Sequence, residues 1–331
     1  MSKDITLFDY SPITEREPIH WPEGKRVAFY IGLNIEHFYV DLPGTATYEG
    51  TTALTPDSLN YGWRDYGPRV GIWRIIDLLD KYGIRASALL NSDVGERYPQ
   101  IIAAGRERDW AWLAHGSSNS HLHTGLTVEE ERAVLRDIVT TIEKTTGQRP
   151  RGWMGPGLTE TFHTPELFAE LGGQYVLDWT NDDQPYPLNV PGMLSVPYSV
   201  ELNDIGIFVS KGLAGPDFVQ MVKDQVDQLH AEAEAADSGR VMALALHPFV
   251  IGQAFRRRYL DEALDYVTGH PGVWLTTSDD IAEHYAPRRL NREAPPFRSE
   301  RGRGCPCGPL RRTPWRLRNR LRHGHPPVTV R

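Results

Sequence analysis

Short unbroken apolar runs recur along this chain, each closed by a polar or glycine break and followed by a helical pattern. Residues 26–33 (RVAFYIGL), 110–114 and 240–246 (RVMALAL) lack the polar alternation of a strand with one wet face, and 84–90 reads as a further strand. Such runs read as strands buried on both sides, the condition of a parallel sheet covered by helices. Between them, residues 69–82 carry apolar side chains at helical spacing and stop at Gly83. Thr127 to Glu130 form a capping box for a helix reaching Thr146, and further helices are expected at 96–105, from 164, and at 216–236, 259–268 and 278–285. Shorter strands are expected at 149–154, 174–178, 194–196, 207–209 and 273–277. The stretch 41–67 reads as a long packed loop holding Tyr48, Tyr61, Trp63 and Tyr66. Strand–helix alternation of this kind predicts an α/β fold, an irregular parallel (β/α) barrel of about seven strands.

The 331 residues divide into a barrel domain over 1–287 and a tail over 288–331. From Arg288 onward, thirteen arginines stand against Glu293 and Glu300, a balance of +11. With −7 for the whole chain, the body carries −18. An acidic body argues against a nucleic-acid surface. The tail is rich in Arg, Pro and Gly without apolar period, and is expected to be disordered: a basic tether, or the composition of an out-of-frame read. Cys305 and Cys307 both fall there, so the body has no disulfide or thiolate chemistry; a metal held with His323 and His325 is weakly signalled. No run approaches the eighteen or so apolar residues of a membrane helix, and the first twenty residues have no apolar signal core. The expectation is a cytoplasmic protein with no membrane or nucleic-acid partner. GxGxxG and GxxxxGK spacings are absent, so nucleotide binding has no support.

Chemistry collects where the apolar runs end. The first delivers Asn34, Glu36 and His37, and the third His115 and Asn119. The fourth brings Arg151, Trp153, Gly155 and Pro156, the fifth Asp178, and the late run His247. In a barrel these positions meet at one mouth although they are far apart in sequence. A carboxylate, several imidazoles, an Arg and an Asp suit hydrolysis assisted by a metal or by general acid and base.

Over residues 21–287 these motifs resemble the polysaccharide deacetylase (NodB-homology) superfamily. Asn34-Ile35-Glu36 falls on its acidic first motif, and His115-Gly-Ser-Ser-Asn119 on its second. Arg151-Gly-Trp-Met-Gly155-Pro156 is similar to the third, and Leu246-His247-Pro248 to the last. Asp65-Tyr-Gly-Pro-Arg69-Val-Gly-Ile-Trp73-Arg74 resembles the allantoinase-like branch. Two positions depart from the metal-dependent pattern: Asn34 stands where the superfamily's general base is acidic, and Asn119 where a metal ligand is His.

Two versions of the site stay open. In one, Glu36, His115 and Asn119 hold a divalent zinc ion, or His121 or His123 supplies the missing imidazole through a slipped motif. In the other there is no cofactor: Glu36 is general base, His115 or His247 the acid, and Arg151 or backbone N–H groups steady the oxyanion, with Asp178 in the same catalytic set. Asn34, His37, Trp63, Trp153, Gly155 and Pro156 are expected to contact substrate. The resemblance implies a hydrolase of carbon–nitrogen bonds acting on a small linear or cyclic amide, and a homo-oligomer. Its rivals are a metal-dependent deacetylase of an N-acetylated sugar and an inactive ligand-binding barrel.

Overall fold

The structure, a computed structural model, describes residues 5–289. Tail residues from position 290 on, including Cys305, Cys307, His323 and His325, lie outside the described residues. Nine strands form one sheet among the described residues: β1 Val27–Ile35, β2 Ala86–Leu90, β3 Ala111–Ala114, β4 Gly152–Trp153, β5 Tyr175–Val176, β6 Tyr186–Pro187, β7 Leu194–Ser195, β8 Arg240–Leu246 and β9 Val273–Leu275. Nine helices accompany them: α1 Ser58–Tyr66, α2 Ile72–Tyr82, α3 Val94–Arg97, α4 Pro99–Glu107, α5 Val128–Thr146, α6 Thr164–Glu170, α7 Gly215–Ala236, α8 Arg257–Gly269 and α9 Ser278–Arg289.

The sheet runs β6-β7-β5-β4-β3-β2-β1-β8. Every pair is parallel except β6–β7. β9 pairs with the start of β1 and β2 with its second half, on the edge that β8 leaves free. The outer edge of β8 meets loops, not a strand. Val241 N–H donates to the Asp183 carbonyl (2.8 Å) and Ala245 N–H to that of Leu202 (3.0 Å). The result is a curled α/β half-barrel closed by loop backbone. Two local expectations are corrected. Residues 207–209 belong to a π-helical turn, Ile205–Ser210, and the loop expected over 41–67 contains α1.

The period of two along each strand sorts the side chains into two cores. Ala28 and Tyr30 of β1, Leu113 of β3 and Val241, Ala243 and Ala245 of β8 fill the barrel interior with Tyr175, Val196 and Tyr198. Their neighbours Phe29, Ile31 and Leu33, Trp112, and Leu244 and Leu246 face outward, against helices such as α2, α5, α7 and α8. Both faces of β1, β3 and β8 are therefore dry, which is why their runs contain no polar alternation. Helix α5 shows how the outer layer is set. Thr127 accepts the Glu130 N–H (3.3 Å) while Glu130 accepts that of Thr127 (2.8 Å), and Gly147 at φ +80° ends the helix. Its Leu135, Ile138, Val139 and Ile142 are buried, each worth about 1.5–3 kcal/mol of transfer free energy.

Candidate active site

Register brings the site together. Ile35 lies opposite Leu90, and Leu90 opposite Ala114, while Leu33 lies opposite Leu246. The next residues along each strand, Glu36, Asn91, His115 and His247, therefore leave the same end of the sheet. Parity does the rest. Asn34 and Glu36 continue the inward series of Ala28 and Tyr30, His115 that of Leu113, and His247 that of Ala245. Side chains that follow inward-facing apolar residues emerge over the barrel interior.

Glu36 is the hub. Its Oε1 lies 3.5 Å from His115 Nε2 and 3.6 Å from His247 Nε2. His115 Nδ1 is 2.7 Å from the Met154 carbonyl, which can only accept, so Nδ1 carries a proton. The ring then turns Nε2, buried and otherwise unpartnered, toward Glu36. His247 Nδ1 donates to Asp204 Oδ1 (2.6 Å). Burial works against a charged His247, but the Asp204 and Glu36 carboxylates outweigh it and raise its pKa above the ordinary value. Asp204 itself is wholly buried and was not foreseen from sequence; it sits just before the π-helical turn, 43 residues from its partner.

Amides line the rest. Asn119 Nδ2 donates to Glu36 Oε1 (2.5 Å), and Asn91 Nδ2 donates to Asn119 Oδ1 (2.9 Å). Asn34 sits on the inward face below Glu36, its Nδ2 donating to Tyr198 Oη (3.0 Å) and the Leu246 carbonyl (3.2 Å), its Oδ1 unpartnered. Asn91 and Tyr198 join Asp204 as residues that sequence reasoning left out of the site.

Other expected site residues fall at graded distances. His37 is buried beside the cluster with Nδ1 3.3 Å from Tyr98 Oη, and burial lowers its pKa. Trp63 packs edge-on against Phe249 (4.8 Å), which in turn packs on His247 (5.7 Å), one ring further out. Pro156 abuts Gly116 at the second motif, and Gly155 N–H donates to Asp178 Oδ1 (2.8 Å). Asp178 has Gly155 and Glu160 as partners, not Glu36 or either active-site imidazole; burial and the Glu160 charge raise its pKa well above the carboxylate range. His121 bonds Ser118 (3.0 Å), and His123 lies 3.7 Å from Glu131 and packs on Trp153, so neither takes the position that Asn119 fills.

Two expectations are corrected outright. Arg151 precedes β4, a strand of only two residues, and so sits at the opposite end from the cluster, paired with Glu283 (2.8 Å) and Gln174 (2.9 Å). It cannot steady an oxyanion at Glu36. Trp153 has outward parity and is fully buried against His123 and Phe168, out of reach of a substrate.

A zinc set of Glu36, His115 and Asn119 does not fit this arrangement, because Asn119 offers an N–H to Glu36 and its oxygen is already taken by Asn91. Among the described residues no three His, Cys, Asp or Glu side chains form a metal-holding group. A small cavity lined by Glu36, Tyr98, Pro248 and Phe249 lies beside the cluster. A larger one of about 700 Å³, lined by Phe8, Arg16, Asp182 and Tyr186, contains none of the strand-end residues.

Comparison with known proteins supports the fold. The family model for polysaccharide deacetylases matches residues 61–176. A Schizosaccharomyces pombe protein named as a polysaccharide deacetylase is 26% identical over 300 residues, covering 80% of this chain and 92% of its own. The peptidoglycan deacetylase of Helicobacter pylori is 26% identical over 289 residues, covering 75% and 95%. The crystal structure of PuuE allantoinase superposes with a TM-score of 0.74 at 26% identity, over 86% of this chain and 99% of that one. Fold and site thus define a deacetylase-type hydrolase of carbon–nitrogen bonds. Residues 61–176 match the polysaccharide deacetylase family, and over most of its length the chain resembles two proteins named as deacetylases and an allantoinase structure.

Proposed function

We propose that this hydrolase cleaves the carbon–nitrogen bond of a small linear or cyclic amide, with Glu36 as general base and His247 as general acid. The observation that carries the reading is enclosure. The side chains of His115, Glu36 and His247 are only 1%, 4% and 6% exposed. Reacting groups sunk this deep suit a compact ureide or amide better than a polymer lying along a surface. The PuuE allantoinase likeness points the same way.

The chemistry follows from which atoms hold protons. Glu36, held by the Asn119 N–H, takes a proton from a water molecule whose oxygen bonds to the amide carbon. His115 Nε2, turned toward Glu36 by the Met154 contact, orients that water. His247, cationic beside Asp204, balances the developing oxyanion and then gives its Nε2 proton to the leaving nitrogen as the C–N bond breaks. No step requires a metal. No helix among the described residues is long and apolar enough to cross a membrane, and the reading needs no membrane or nucleic-acid partner.

The test is turnover of a panel holding hydantoins, allantoin-like ureides and N-acetylglucosamine oligomers, by wild-type protein and Glu36→Gln. Ureide turnover that falls about 10²–10⁴-fold in the variant is expected. Turnover of the N-acetyl sugars alone, stimulated by added zinc, would replace this reading with a metal-dependent deacetylase. Binding without turnover of any amide would make the chain a ligand-binding barrel.

A further inference from the structure

Asn91 ends β2, has no exposed surface, and ties together the loops that carry Glu36, His115 and Asn119. Its orientation is forced from both sides. The His37 backbone N–H can only donate, and at 2.8 Å it fixes Asn91 Oδ1 toward itself. The His115 carbonyl can only accept, and it takes one N–H of Asn91 Nδ2. The remaining N–H goes to Asn119 Oδ1 (2.9 Å), so Asn119 must turn its own Nδ2 to Glu36. Asn119 N–H to the His37 carbonyl (3.0 Å) closes the ring.

We infer that Asn91 is a positioning residue that sets which end of Asn119 faces Glu36, so that this corner offers an N–H to a carboxylate instead of an oxygen to a cation. The inference rests on Glu36 being the working carboxylate of the function proposed above. It also explains why the donor set near Glu36 does not fit zinc, in terms of hydrogen-bond direction and not of residue count.

Asn91→Asp keeps the shape and reverses one bond. One oxygen still accepts from His37, but the other faces the His115 carbonyl and Asn119 Oδ1, three acceptors in contact. Turning Asn119 over relieves the clash with Asn119, since its Nδ2 then donates to the new carboxylate, while that carboxylate and the His115 carbonyl draw apart. Asn119 Oδ1 now meets Glu36 Oε1 beside His115 Nε2, two oxygens and a nitrogen with an added negative charge close by.

The experiment is calorimetric titration of zinc chloride into metal-free wild-type, Asn91→Asp and Asn91→Asp/Glu36→Gln proteins, with circular dichroism to verify folding. Asn91→Asp is expected to bind one zinc about 10–100-fold more tightly than wild type, the range over which outer partners tune metal sites. The added Glu36→Gln should abolish the gain. Should Asn91→Asp fail to fold, Asn119→Asp places an oxygen at the same corner directly and should show the same gain. Wild type binding one zinc as tightly as Asn91→Asp, or a folded Asn91→Asp or Asn119→Asp binding no better than wild type, would overturn the inference. The titration uses no substrate. Absent amide turnover would sink the hydrolase reading and leave this result standing.

Discussion

His247 Nδ1 lies 2.6 Å from Asp204 Oδ1, and the other oxygen of Asp204 accepts the backbone N–H groups of His247 (2.8 Å) and Ile251 (3.2 Å). Asp204 thus holds both the imidazole and the turn that carries it. Burial alone would lower the His247 pKa; Asp204 and Glu36 raise it. A raised imidazole pKa adds stability that is fully present below the unfolded value near 6.5 and is lost as pH rises through the folded value. Asp204→Asn is expected to move the alkaline limb of the kcat profile to lower pH and to reduce kcat by about 10²-fold or more. Its stability cost should be about 3–5 kcal/mol at pH 6 and smaller at pH 9. Rate profiles and urea melts at the two pH values check both, and an unmoved alkaline limb would assign the acid to another group.

Glu160 gives the opposite sign. Burial, reinforced by the Glu131 charge, pushes its carboxyl up to about 7. The folded chain keeps a proton that the unfolded chain gives up near 4.5, so stability falls as pH rises between those values. Glu160→Gln is expected to stabilise the protein by about 1–3 kcal/mol at pH 8 and to leave it nearly unchanged at about pH 4. Thermal melts at the two pH values decide it; an equal shift at both would trace the gain to packing.

The strand ends were legible because a dry run that stops at a polar residue announces a site end, and parity then points the side chain. That is how Glu36, His115 and His247 could be read. Asp204 could not, since it precedes a π-helical turn with no strand pattern and meets His247 only through space. Asn91 was visible as a strand end, but its value lies in three bonds to the two loops that follow β1 and β3. Arg151 and Trp153 misled for one physical reason. Their run reads as a six-residue strand but pairs over two, with Arg151 before the pairing and Trp153 on the helix side.

Arg151 supplies a control. Its guanidinium is 31% exposed and its partner Glu283 70% exposed, at the end of the sheet away from Glu36. Arg151→Ala is expected to leave kcat and KM within about 2-fold and to cost about 0–1 kcal/mol, as exposed ion pairs do. Steady-state rates on whichever amide is turned over check this. A loss of 10²-fold in kcat would return Arg151 to the catalytic set.

Backbone contact positions His247 from the other side. A Cβ added at Gly71 would stand 1.9 Å from the Pro248 carbonyl oxygen, and one at Gly252 would stand 2.2 Å from the same atom. The π-helical turn Gly67–Gly71 that leads into α2 therefore lies directly on the turn following His247. Gly71 has φ −62°, so its requirement is space and not backbone freedom. Gly71→Ala is expected to cost about 1–3 kcal/mol through overpacking. Because Pro248 must move, kcat should fall more than KM rises. Gly83 serves as comparison: it has φ +64° and open space around its missing Cβ. Gly83→Ala should cost about 1–2 kcal/mol by strain and leave kcat unchanged. Melting curves and initial rates of the two variants separate the cases, and a Gly71→Ala protein with wild-type kcat would show that the Pro248 turn yields without carrying His247 with it.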